Sequence, residues 1–166
     1  SVHSSSNNGQ IHFAIGSKLL AIEAKDGSLL NEPIDLGVQP LRPVHIAQLD
    51  DQPGMDILFL EDLDGQPVPL LPTGNTYRYM MRLVARSLSD GRQLWERLIS
   101  ARNNGIANWW IESPDWPLVN DFDGDGRCEV LVPDGAWSQP VAYPTQGSLL
   151  LLSGVNGEPI WKRSLS

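Results

Sequence analysis

Three stretches of this chain repeat one pattern at a near-constant interval, and no other feature restricts the possible folds as strongly. Residues 19–31 read LLAIEAKDGSLLN, residues 83–95 read LVARSLSDGRQLW, and residues 149–161 read LLLLSGVNGEPIW. Their turn glycines, Gly27, Gly91 and Gly157, stand 64 and 66 residues apart. Each glycine follows Asp or Asn and precedes Leu or Ile by three places. Trp95 and Trp161 close the second and third copies, where Asn31 closes the first. An Asp-Gly or Asn-Gly pair between runs of alternating polarity predicts a hairpin, because these residues tolerate the positive φ that a two-residue turn demands. A fixed period with matching residues means that one supersecondary unit is stacked several times.

A second kind of segment alternates with these hairpins. Residues 44–60, VHIAQLDDQPGMDILFL, and 116–132, WPLVNDFDGDGRCEVLV, both read as strand, acidic loop, strand. Their first loop aspartates by this reading, Asp50 and Asp121, are 71 residues apart, and the excess over the hairpin period fits a Pro- and Gly-rich loop insertion at 61–76. One acidic-loop hairpin and one Gly-turn hairpin make four antiparallel strands, the blade of a β-propeller. The expected fold is therefore all-β with propeller-like four-stranded blades. Residues 43–99 form one blade and 115–166 another, while 10–37 supply the last two strands of a preceding one. Residues 1–9, SVHSSSNNG, read as a linker or boundary segment. About two and a half blades cannot close a ring that needs 4–8, so the rest of the propeller is expected from the same longer chain or from another copy. A ten-stranded sandwich accounts for the strand count but not for the period. The composition agrees with many short strands: 15 Gly, 13 Pro and only 19% charged residues leave little material for long amphipathic helices.

The residues Asp121-Phe122-Asp123-Gly124-Asp125-Gly126-Arg127-Cys128-Glu129 carry the most specific chemistry. Acidic side chains fall at loop positions 1, 3, 5 and 9, and Gly126 permits a sharp turn. Calcium takes 6–8 oxygen ligands from carboxylates, carbonyls and water. Asp121, Asp123, Asp125 and Glu129, with the backbone carbonyl of Arg127, are the expected Ca²⁺ ligands. The loop is not an EF-hand, because its twelfth position is Val132 in an apolar strand rather than a bidentate Glu. The loop Asp50–Asp56 reads as shorter and degenerate: Gln52 and Pro53 occupy its middle, so it is expected to keep the turn without the metal.

DFDGDGRCEVLV in full, and LDDQPGMDILFL in part, resemble the FG-GAP/VCBS calcium-loop repeats of integrin α-subunit propellers and bacterial surface proteins. The hairpins resemble the PQQ-like, quinoprotein-type propeller repeat through Ala21, Asp26 and Gly27, through Ala85, Asp90, Gly91 and Trp95, and through Asn156, Gly157 and Trp161. That second resemblance implies that the tryptophan packs one blade onto the next. Together they imply a non-enzymatic, calcium-binding segment of a secreted or cell-surface protein, extracellular or periplasmic and bacterial, that mediates adhesion or protein–protein interaction. The competing expectation is a fragment of a propeller enzyme such as a quinoprotein-type dehydrogenase, for which no basic cluster to hold the cofactor carboxylates is visible.

A net charge of −8, with 12 basic residues scattered among 20 acidic ones, disfavours nucleic acid and anionic membranes and favours divalent cations. No apolar run is long enough to span a bilayer. The single Cys128 excludes an internal disulfide and reads as a small core residue, and His12 and His45 read as structural. Glu61, Asp62 and Asp64 cluster without the spacing of a glycosidase pair. Trp109, Trp110 and Trp116 read as core, with an aromatic ligand platform as the alternative. Trp137 and Tyr143, in a Pro- and Gly-rich loop, are the best candidates for a surface that faces a protein or glycan ligand.

Overall fold

The structure is a computed structural model that describes residues 2–3, 9–40, 44–62, 68–69, 77–101, 116–136 and 146–165. Among these residues every regular element is a β-strand and every strand pair is antiparallel. Three sheets result. The first holds β1 (Val2–His3), β2 (Gln10–Ile15), β3 (Lys18–Glu23) and β4 (Ile34–Asp35) in that order. The second holds β5 (His45–Ala47), β6 (Asp56–Asp62), β8 (Tyr77–Ser87) and β9 (Gln93–Ala101). The short β7 (Val68–Pro69) pairs with the start of β8. The third holds β10 (Leu118–Asn120), β11 (Glu129–Ala136), β12 (Gln146–Leu152) and β13 (Pro159–Leu165), again in chain order. The second and third sheets are thus blade-like meanders of the kind the repeats predict. The described residues do not close a ring.

The first sheet has four strands where the sequence reading counted two. Val2–His3 pairs with His12 and Phe13, and Ile34–Asp35 pairs with Lys18 and Leu19. Both added strands are two residues long, too short to show an alternation. The hairpin of this sheet also closes at Gly16, whose φ is +59°, between the paired Ile15 and Lys18.

The three repeated turns share one hydrogen-bond pattern. Glu23, Ser87 and Ser153 each donate a backbone N–H to the carbonyl five residues on, at Ser28, Arg92 and Glu158, all at 2.9 Å. Gly27, Gly91 and Gly157 each donate back to those same three residues at 2.9–3.0 Å. The Asp26, Asp90 and Asn156 side chains each accept the amide two residues on, at 2.9–3.0 Å. These are therefore four-residue loops rather than the two-residue turns expected: the Asp or Asn folds the loop onto its own side chain, and the glycine supplies φ of +71° to +75° at its end. A register shift follows at Ala85/Arg86 and again at Leu151/Leu152. It makes Leu94 and Ile160 extra residues, and pairs Trp95 with Ala85 and Trp161 with Leu151.

The second sheet is buried on both faces. In β6, Ile57 and Phe59 pack toward Leu19 and Leu36 of the first-sheet region, while Leu58 and Leu60 pack toward Val130, Val132, Leu150 and Leu152 of the third sheet. Successive strand residues point to opposite faces, so a continuous apolar run fits only a strand covered on both sides.

Trp95 joins the second and third sheets. Its indole Nε1 donates to the Gly154 carbonyl, and its ring lies where a Cβ on Gly157 would stand, with Cε3 2.6 Å from that position. Two residues on, Arg97 donates to the Gly157 carbonyl at 3.2 Å and lies 3.9 Å from the Glu158 carboxylate. The tryptophan thus needs a glycine opposite it. Trp95→Ala is expected to cost about 3–5 kcal/mol, as for other buried aromatic truncations. Gly157→Ala should also destabilise, since it adds a clash with the ring to an unfavourable φ. Chemical denaturation with unchanged slope measures both.

An exposed ion pair pins the edge of the first sheet: the Lys18 ammonium donates to Asp35 at 2.6 Å, and the Gly37 amide donates to the same carboxylate at 2.9 Å. Together they lower the Asp35 pKa from 3.8 to about 2, with the Lys18 contact the larger cause. A lowered carboxylate stabilises the fold above its unfolded pKa and loses that contribution as pH falls through the folded one. A carboxyl NMR titration should place the Asp35 midpoint near 2, and Lys18→Ala should move it back toward 3.8.

Candidate metal site in the third sheet

The acidic loop of the third sheet bridges β10 and β11. Asn120 pairs with Glu129, leaving residues 121–128 between them. The Asp121 carboxylate organises this loop from within: Oδ1 accepts the amides of Gly124 at 2.6 Å and Asp125 at 3.2 Å, and Oδ2 accepts that of Gly126 at 2.9 Å. Gly124 and Gly126, at φ of +81° and +91°, give the chain the curvature this requires. Glu129, at the start of β11 and only 5% exposed, accepts the Phe122 amide at 2.8 Å. Asp123 accepts the Asp125 amide at 3.1 Å.

Three of the expected ligands converge. Asp121, Asp123 and Glu129 each present one carboxylate oxygen, and these oxygens lie within 4.8 Å of one another. Carboxylates so close repel unless a cation or protons intervene, and each retains lone pairs beyond those used by backbone amides. The trio can hold a metal ion. Asp125 stands apart from it. Its Oδ1 accepts the Arg127 amide at 2.9 Å, and its Oδ2 pairs with the Arg127 guanidinium. Hydrogen bonding from Arg127 lowers the Asp125 pKa and raises that of Arg127. Of the five expected ligand residues, two are therefore engaged with each other through their side chains.

The corresponding loop of the second sheet departs from its sequence reading. Ala47 pairs with Asp56 as Asn120 pairs with Glu129, so residues 48–55 match 121–128 in length. The loop is not shorter. Strand register makes Gln48, not Asp50, the equivalent of Asp121, and Asp50 the equivalent of Asp123. The hydrogen bonds agree, because Asp50 accepts the Gln52 amide at 2.9 Å just as Asp123 accepts that of Asp125. Gln48 inverts the polarity of the position: its Nε2 donates to the carbonyls of Asp50 at 2.6 Å and Gln52 at 2.8 Å. Asp121 gathers amides where Gln48 gathers carbonyls. A neutral glutamine carries no charge signal of a ligand loop. The signal available was its spacing, eight residues before Asp56, as Asp121 stands eight before Glu129.

The two loops touch. The Cys128 amide donates to the Gln48 carbonyl at 2.7 Å, and Gln48, Asp51, Gln52, Asp125 and Arg127 line an open groove between them. The Cys128 side chain packs against the core between the sheets, and burial, with the charges of Asp121 and Glu129, pushes its thiol pKa up. A thiol so placed is a poor nucleophile. Trp116 is half-buried at the entry to β10. Glu61 is bound by Arg82 at 2.8 Å, and Arg82 also reaches Glu96 at 3.2 Å. Trp109, Trp110, Trp137, Tyr143 and Asp64 lie outside the described residues.

No protein-family model, no curated protein and no solved structure matches the chain. No helix among the described residues is long and apolar enough to cross a membrane.

Asp56 offers a pH test of the second loop. It is 3% exposed and accepts the amides of Leu49 at 2.9 Å and Asp50 at 3.3 Å. Burial outweighs these bonds and raises its pKa above 3.8. A raised carboxyl favours the folded state below its unfolded pKa, and this contribution is lost as pH rises through the folded value. Stability curves for wild type and Asp56→Asn should converge in slope above that window, with the wild type alone falling across it.

Proposed function

We propose that this chain is a non-enzymatic, calcium-binding propeller segment of a secreted or cell-surface protein that mediates adhesion or protein–protein contact. The observation that carries the reading is the convergence of Asp121, Asp123 and Glu129 in a loop already shaped by hydrogen bonds to Asp121. The donor set is all oxygen, which suits a hard cation and not zinc or copper. Carbonyls and waters complete the coordination that three carboxylates leave unfilled. The ion would brace the β10–β11 connection, and Arg127 would neutralise the surplus acid at Asp125. Millimolar extracellular calcium suits a single exposed loop of modest affinity, which supports a location outside the cell or in the periplasm. The ligand-facing role expected of Trp137 and Tyr143 belongs to the same proposal.

Titration calorimetry with Ca²⁺ is expected to show one saturable event. The melting temperature should rise with calcium, by the equivalent of about 2.7 kcal/mol at a hundredfold excess over Kd. Asp123→Ala and Glu129→Gln should abolish the heat, whereas Asp125→Asn should weaken it far less. No heat and no melting shift in the wild type would sink the metal assignment.

A further inference from the structure

We propose that the outer face of the third sheet docks onto the first sheet of a second copy of this chain, with Trp161 seated on the Asp26–Gly27 turn. The argument begins with what Trp95 does inside one molecule. It covers Gly157, donates to Gly154, and is flanked by Arg97 on the Gly157 carbonyl. Trp161 and Arg163 reproduce Trp95 and Arg97 one repeat later, at the same two-residue spacing and after the same register shift. Yet Trp95 is 7% exposed and Trp161 is 38% exposed. One tryptophan has its glycine turn and the other has none among the described residues.

The opposite end of the stack offers the missing half. The Asp26–Gly27 turn has the hydrogen bonds of the Asn156–Gly157 turn. At Gly157 the space of a Cβ is taken by the Trp95 ring, whereas at Gly27 nothing lies within 4 Å of that position. Ala24 stands where Gly154 stands, three residues before the turn glycine, so its carbonyl is the acceptor for the Trp161 indole.

The sheets behind these residues are apolar on the matching sides. Strand pairing puts Leu131, Leu151 and Trp161 on one face of the third sheet, the side opposite Val130, Val132, Leu150 and Leu152. Leu118 and Trp161 on that face are more than one-third exposed, while Leu151 between them is 9% exposed and belongs to neither core cluster. In the first sheet, Ile11 pairs with Ile22 and Phe13 with Leu20, on the face away from Leu19, and all four are half-buried. Apolar runs such as Leu149–Leu152 belong to sheets covered on both sides. The two faces differ, so the contact is head-to-tail, the type that yields rings or open chains of copies.

Light scattering and sedimentation on the intact chain from micromolar to millimolar concentration test this. The wild-type mass is expected to rise above 18.3 kDa with concentration. Trp161→Glu removes the tail face, and Leu20→Glu or Ile22→Glu removes the head face. Each variant alone should remain at the monomer mass. An equimolar mixture of a tail variant and a head variant should form a dimer that grows no further, because one intact face remains on each molecule. Circular dichroism confirms folding, and Arg163→Glu provides a second tail variant. A wild type that stays monomeric throughout overturns the proposal, as does self-association that survives Trp161→Glu or a folded mixture that fails to dimerise. Should neither head variant fold, the Trp161→Glu result decides. Repeating the series in chelator separates this contact from the calcium site: loss of calcium binding alone leaves the docking prediction standing.

Discussion

Burying both faces of β6 is the constraint on which the remaining structure depends. Ile57 and Phe59 need cover on one side, and Leu58 and Leu60 on the other. At roughly 1.5–3 kcal/mol for each large apolar side chain removed from water, four consecutive residues outweigh any single surface interaction in the molecule. They force a sheet to stand between two others. The stacking order follows, and so does the need for a device that sets the spacing between sheets. Trp95 is that device between the second and third sheets, because its ring fits only over a residue without a side chain and its indole N–H finds a carbonyl three residues earlier.

The two acidic loops show how one backbone frame accepts opposite chemistry. Both span eight residues between paired strand ends, and both end on a buried carboxylate that accepts a loop amide. In the third sheet Asp121 draws amides inward and leaves carboxylate oxygens clustered. In the second sheet Gln48 draws carbonyls inward with its own amide. The second arrangement satisfies the loop with protons already present. The first leaves negative charge that a cation can balance.

Much of this was legible in the residues. The period of the three turns gave the blade-like sheets, because Asp or Asn followed by Gly can be read one residue at a time. The run ILFL carries the signature of a strand covered on both faces, since its successive residues point to opposite sides and all four are apolar. The acidic loop was legible as a cluster, but membership in the converging trio was not. Asp125 has the right spacing, but its carboxylate pairs with Arg127, two residues away, an arrangement that spacing does not encode. The turn length was misjudged because Asp-Gly suits the third and fourth positions of a longer loop as well as a two-residue turn. The strands Val2–His3 and Ile34–Asp35 escaped notice since two residues carry no periodicity. Gln48 escaped for another reason: a motif search by charge cannot see a neutral side chain doing the converse job.

Cys128 sits at a junction whose geometry leaves little freedom. Its amide is bound to the Gln48 carbonyl, and its own carbonyl lies 2.0 Å from where a Cβ on Gly154 would stand. Gly154 in turn receives the Trp95 indole. The last residue of the acidic loop is thus wedged between Gln48 and Gly154. Inserting or deleting a residue in the loop would drag this wedge out of place, and the eight-residue span recurs in the second-sheet loop although Gln48 there replaces Asp121. Loops built this way can diverge in chemistry while their length stays fixed, like a gauge block recut with a different face.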